Sequence, residues 1–230
     1  MWRLKRQLIA IGILGLLVAI IVFGLFFFFR VPSDNEVQPL SPPQPPRLLW
    51  SRFFPVRTDV YDAAALVENP NNDRKAADIR YVFRLFDEHN VLITTKESRS
   101  FLNPAEQFVI FEPLVVTALR TPQRILFEIR DVTWQVAEKK VLPVVVKQKQ
   151  FEKDAVASRV RTVLSNTDIA STRSLEVIAV PLDEAGNAIA VAHAVIDALG
   201  AGEEREVVLT WPRVLPEPRI MQVYVRETQL

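Results

Sequence analysis

Cysteine is absent from the chain, which excludes disulfide staples, thiolate metal sites and a cysteine nucleophile together. Glycine is nearly as scarce, with six residues, and none belongs to a glycine-rich loop of the kind that cradles phosphate. The two histidines, His89 and His193, have no G-x-S-x-G or H-E-x-x-H pattern beside them, so neither reads as a catalytic base or a zinc ligand. Strong charge of either sign is missing too, the whole chain carrying a formal +1. Removing Arg3, Lys5, Arg6 and Arg30 from the 28 basic residues leaves 24 against 27 acidic ones, a net of −3 for the rest. That balance, without a basic stripe, argues against nucleic-acid binding and against docking on anionic lipid.

What is present begins with one long apolar run. Residues 8–29 hold no charged or strongly polar side chain, and at about 1.5 Å per residue they are long enough to cross a hydrocarbon core of roughly 30 Å. The run is longer than the apolar region of a secretory signal and ends Phe26-Phe27-Phe28-Phe29-Arg30 with no small-residue cleavage site, which predicts an uncleaved transmembrane helix. Arg3, Lys5 and Arg6 precede it, whereas Arg30, Asp34 and Glu36 follow. The basic excess places residues 1–7 in the cytoplasm and the remainder outside. Residues 30–47 are proline-rich and lack apolar periodicity, which predicts an extended stalk. Pro42-Pro43-Gln44-Pro45 fits P-x-x-P, but readers of that motif are mostly cytosolic and the stalk is expected on the other side.

Beyond the stalk the chain says nearly the same thing twice. Asn69 and Asn166, Asp87 and Asp183, Leu102 and Leu199, and Arg124-Ile125 and Arg219-Ile220 recur in the same order at nearly one spacing, which argues for a duplicated module. Phe54 with Phe151 and Leu49 with Val146 extend the match to a lead strand. Within the first copy Ile79, Tyr81, Phe83 and Leu85 alternate with Arg80, Val82, Arg84 and Phe86, the period of two of a strand with one fully buried face. Asp87-Glu88-His89-Asn90 then turns the chain into a β-branched run from Val91 to Thr95, a hairpin. Further strands are predicted at Phe108 to Phe111 and Arg124 to Ile129. In the second copy they fall at Val160 to Leu164, Leu175 to Leu182, Ala188 to Ile196, Glu206 to Trp211 and Arg219 to Val225. Pro181 cannot donate to a ladder and is expected on an edge or at a bulge. The fold class is all-β: two tandem immunoglobulin-like β-sandwiches, 48–137 and 138–230. Without disulfides, each half is expected to hold itself together by its own packing.

The polar residues that stand out read as turn and surface chemistry. Asp87 with Asn90 and Asp183 with Asn187 suit turns, since Asp and Asn bond nearby backbone and tolerate left-handed conformations. They lack the spacing of a calcium loop. Asn69-Pro70-Asn71 caps exposed backbone in the same way. Asp59 with Asp62 and Glu203-Glu204 have nothing beside them to mark an apolar pocket that would make one an acid catalyst. No catalytic, cofactor-binding or metal-binding residue is assigned, and no cofactor is expected.

At these turns the sequence resembles the FxLYD-type domain of bacterial envelope proteins. Leu85-Phe86-Asp87 and Pro181-Leu182-Asp183 stand at the naming motif, and Leu102-Asn103-Pro104-Ala105-Glu106 and Leu199-Gly200-Ala201-Gly202-Glu203 at the later turn. Asn69-Pro70-Asn71 is also similar to the NPN of water-stress (WHy) domains. Neither copy carries the tyrosine of the name, and proline does not follow Asn166. The resemblance implies an immunoglobulin-like sandwich in a secreted or membrane-anchored protein without known catalysis. The expectation is therefore a non-enzymatic, single-pass membrane protein of the cell envelope, anchored in the lipid bilayer and presenting two domains to a protein partner. The alternative is an accessory subunit of a pilus or secretion-type machine whose transmembrane helix makes specific contacts.

Overall fold

The computed structural model describes residues 16, 17, 19–25 and 42–229. Residues 16, 17 and 19–25 are helical, and their large apolar side chains are exposed, from 49% at Leu25 to 67% at Phe23. Among the described residues no helix is long and apolar enough to cross a membrane. The expected basic segment 1–7, the remainder of the 8–29 span and residues 30–41 of the stalk lie outside the described residues.

From Pro43 onward the chain forms one unit built of strands. The first half carries β1 (Arg47–Arg57), β2 (Val60–Glu68), β3 (Arg74–Phe86), β4 (Leu92–Leu102), β5 (Gln107–Val116) and β6 (Arg124–Val136). The second carries β7 (Val144–Lys153), β8 (Ser158–Asn166), β9 (Leu175–Leu182), β10 (Ala192–Ile196), β11 (Glu204–Trp211) and β12 (Ile220–Glu227). They make four three-stranded sheets in the orders β1-β2-β5, β4-β3-β6, β11-β8-β7 and β10-β9-β12. Every pairing is antiparallel. The second half thus repeats the first strand for strand, and among the described residues no ladder joins the two halves.

The alternation in β3 works as its pattern requires. Ile79, Tyr81, Phe83 and Leu85 are buried, with Arg80 exposed and Arg84 half-buried on the opposite face. Tyr81, Phe83 and Phe127 pack ring to ring, Phe83 and Phe127 at 4.9 Å between centroids. A strand that the sequence pattern does not announce is β2. Its Ala63-Ala64-Ala65 run has neither β-branching nor alternation, yet it is the middle strand of its sheet and all three alanines are fully buried.

The reason lies in how the halves meet, and it corrects the expectation that each half stands alone. In β9, Leu175, Val177 and Ala179 share a core with Val160 and Leu164 of β8. The alternate residues Ile178, Val180 and Leu182 belong instead to the core containing Phe54, Ala64 and Leu66 of the first half. Strand β9 is therefore covered on both faces, as is β2, whose pattern from Ala63 to Val67 is continuously buried. Strands buried on both faces lose the polar half of their alternation.

Two other expectations need correcting. Pro181 lies in the central strand β9, in register with Met221 and with no bulge against β12. It is tolerated because β10 pairs only with Leu175 to Ala179; beside Pro181 the neighbour is the loop residue Ile189, whose N–H donates to the Pro181 carbonyl at 3.0 Å. The strand predicted from Ala188 is shorter than expected, starting at Ala192, with one isolated bridge from Leu182 to Ala188 before it.

Candidate functional site

The residues singled out at the turns recur as matched hydrogen-bond sets. Asn69 is fully buried; its Nδ2 donates to the carbonyls of Arg74 at 2.7 Å and Asn103 at 2.9 Å, and its Oδ1 accepts from the Asn71 N–H at 3.1 Å. Asn166 donates to the carbonyls of Ala170 at 2.8 Å and Gly200 at 2.9 Å, and accepts from the Asp168 N–H at 3.0 Å. Glu106 accepts the Asn103 N–H, and Glu203 the Gly200 N–H, both at 2.7 Å. Buried backbone groups at strand ends demand partners, and one amide side chain supplies several. Asp87 accepts from the Val91 N–H and Asp183 from the Asn187 N–H, and these bonds hold both carboxyls below their usual range. Asn90 and Gly186 take the positive φ these turns need, 58° and 78°. Asn71 does something the second copy's Asp168 does not. It exchanges two hydrogen bonds with the backbone of Gln44, so the end of the proline-rich segment is tied to this turn.

A polar cluster joins the halves. Arg226 of β12 is buried at 5% exposure. Its guanidinium donates to Glu176 and to the Phe101 carbonyl, both at 2.7 Å, and lies 4.0 Å and 3.8 Å from the ring centres of Phe101 and Phe108. The flat, delocalised cation suits a slot between two aromatic faces. His193 Nε2 stands 3.2 Å from Glu176, with its ring 5.8 Å from that of Phe111. Burial opposes ionisation of Glu176, but the His193 hydrogen bond and the Arg226 charge prevail and set its pKa below the ordinary value. Nearby, Tyr81 donates to Glu112 at 2.6 Å, and burial with that acceptor pushes the phenol up. A cleft of about 460 Å³ opens beside these groups, lined by Tyr81, Arg99, Ser100, Glu176 and Arg226 among others. Its charges are matched within the protein, since Arg99 pairs with Asp78 and Arg226 with Glu176. The cluster thus acts as a joint: its charges pair with one another, and Arg226 of the second half reaches the Phe101 carbonyl of the first.

The remaining residues stay apart. His89 is exposed in its turn beside Glu88. Glu203 pairs with Arg205 and Glu204 with Lys147, and both carboxylates lie at the solvated surface, as expected. Asp59 holds a turn at φ 60°, and Asp62 accepts the Leu114 N–H at 3.0 Å. Among the described residues no three His, Cys, Asp or Glu side chains are grouped to hold a metal ion. Sequence reasoning gave no prominence to Arg226 and Glu176, because partners 50 residues apart on neighbouring strands leave no local spacing to read.

The fold defines an all-β, sandwich-like protein of four small sheets. No family model matches the chain, and no curated protein matches it. Among solved structures, the crystal structure of red sea bream transglutaminase is similar at 13% identity and a TM-score of 0.22, over 78% of this chain and 28% of that one. A likeness so slight carries no argument about fold or activity.

Proposed function

We propose that the chain is a non-enzymatic, single-pass protein of a bacterial cell envelope. Its N-terminus is cytoplasmic, residues 8–29 cross the bilayer, and two tandem immunoglobulin-like sandwiches of FxLYD type, 48–137 and 138–230, stand outside the membrane to bind or scaffold a protein partner. The observation that carries the reading is the helical stretch at residues 16, 17 and 19–25, whose Leu, Ile, Val and Phe side chains are all exposed. A helix that is apolar all round needs an apolar solvent. The repeated strand order and the matched bonds of Asn69 and Asn166 support two copies of one domain. Each three-stranded sheet leaves two edges, and strand addition at an edge needs backbone groups and no special side chains.

Protease added outside spheroplasts tests the reading. The portion from about residue 48 onward should be digested while a tag at Met1 stays protected, and the intact chain should fractionate with membranes after a carbonate wash. Recovery of the chain in the soluble fraction, or protection of the C-terminal portion, rejects it.

A further inference from the structure

A second cleft, of about 690 Å³, is lined by three arginines and no carboxylate. Arg52 comes from β1, Arg124 from the start of β6 and Arg213 from the connection between β11 and β12. Each is pinned by a neutral acceptor: Arg52 donates to Asn187 Oδ1 at 2.6 Å, Arg124 to Asn90 Oδ1 at 3.0 Å, and Arg213 to the Ile189 carbonyl at 2.8 Å. None of the three forms an ion pair among the described residues, whereas Arg84, Arg99, Arg159, Arg161 and Arg205 all do. Two acids act on them through space, Asp62 on Arg213 and Asp183 on Arg52, but neither contacts them directly, and their hydrogen bonds go to the Leu114 and Asn187 N–H groups. A guanidinium has five N–H donors, so most of the donor capacity at each arginine is uncommitted.

Three positions pinned to three separate acceptors present spaced charges. They come from three separate segments, β1, β6 and the connection between β11 and β12, so a ligand carrying several carboxylates along its length can engage them together. Between the arginines the cleft offers apolar surface from Phe53, Ile125 and Ile189, and β1 is an edge strand of its sheet. We propose that this cleft binds an extended acidic segment of a protein partner, its carboxylates on Arg52, Arg124 and Arg213 and its intervening apolar side chains on Phe53, Ile125 and Ile189. Carboxylates match the guanidinium fork in two-bond geometry. The inference rests on the binding half of the proposed function and is independent of the anchor.

The test is fluorescence anisotropy with the full chain in detergent and a labelled peptide of alternating Glu and Val, set against the same peptide with Gln for Glu. The Glu peptide should bind saturably and weaken as salt rises. The double variant Arg52→Gln/Arg124→Gln should lose affinity by at least about tenfold. Arg124→Gln alone, at an exposed side chain where folding is not at stake, should lose a smaller share. Arg130→Gln, on a residue already paired with Glu128, should leave binding unchanged. Equal binding of the Gln peptide, unchanged affinity in the double variant, or no binding at millimolar peptide overturns the proposal. So does full competition by inorganic phosphate, which indicates a small-anion site, or by phosphatidylglycerol vesicles, which indicates a membrane-facing one. Failure of this experiment leaves the protease result standing, so the two readings fail separately.

Discussion

Two half-buried glutamates show how the same residue type acquires opposite acid–base behaviour from its neighbours. Glu176 is held below its ordinary pKa because His193 and Arg226 outweigh its burial. Glu106 is pushed above because burial outweighs the Asn103 bonds and the more distant Arg226 and Lys75. For Glu176 the folded-state pKa is depressed, so its stabilisation is present above the unfolded value and is lost as pH falls through the folded one. For Glu106 the folded state holds the proton more tightly, so acidification relieves a penalty that is present above its raised pKa. Chemical denaturation from about pH 7 to about pH 3 should therefore show the stability gap between wild type and E176Q closing at the acid end, below the ordinary carboxylate value, while the gap between wild type and E106Q moves in favour of wild type at higher pH. Parallel slopes for the two variants contradict these assignments. Neither environment is readable from sequence. Glu106 sits in a recognisable turn, but its burial depends on what covers that turn, and Glu176 looks like an ordinary outward residue of a strand.

At the scale of elements, the turns were the most legible part of the chain. Their geometry is enforced within a few residues: Asp183 caps the Asn187 N–H and the Gly186 N–H bonds the Asp183 carbonyl. Gly186 and Asn90 occupy equivalent positions with φ of 78° and 58°, and nothing lies within 4 Å of a Cβ built on Gly186. Backbone strain alone then sets the order of substitutions. Gly186→Ala should destabilise by about 1 kcal/mol, and Gly186→Asn by less, because asparagine tolerates the left-handed region. Urea unfolding of the two variants checks the order, and equal losses would point to a steric clash instead. Strands with one wet face, such as β3, were equally legible. Strand β2 was not, because burial on both faces removes the alternation by which a strand is recognised and fills it with alanine.

For the whole molecule the consequence is that second-half residues enter the first half's core and a charged joint ties the halves. Ile178, Val180 and Leu182 pack with first-half residues, and Arg226 reaches across to the Phe101 carbonyl. Calorimetry of the described β unit should give a single transition with matching calorimetric and van't Hoff enthalpies. Replacing Arg226 by Ala leaves Glu176 without its buried partner and should lower stability by about 3–5 kcal/mol, an effect felt by both halves. Two separate transitions in the wild type would show that the halves fold independently and that the shared face is incidental. What the sequence by itself determined is local: the apolar run, the turns, the period-two strands and the order of the repeat, all set by forces acting over a few neighbouring residues. Only the tertiary structure decided that one face of β9 enters the first half's core, that Arg226 is buried between two phenylalanine rings, and that Arg52, Arg124 and Arg213 line one cleft. Those outcomes depend on which apolar faces find each other across the chain, and burial of surface is non-directional, so no spacing in the sequence records it.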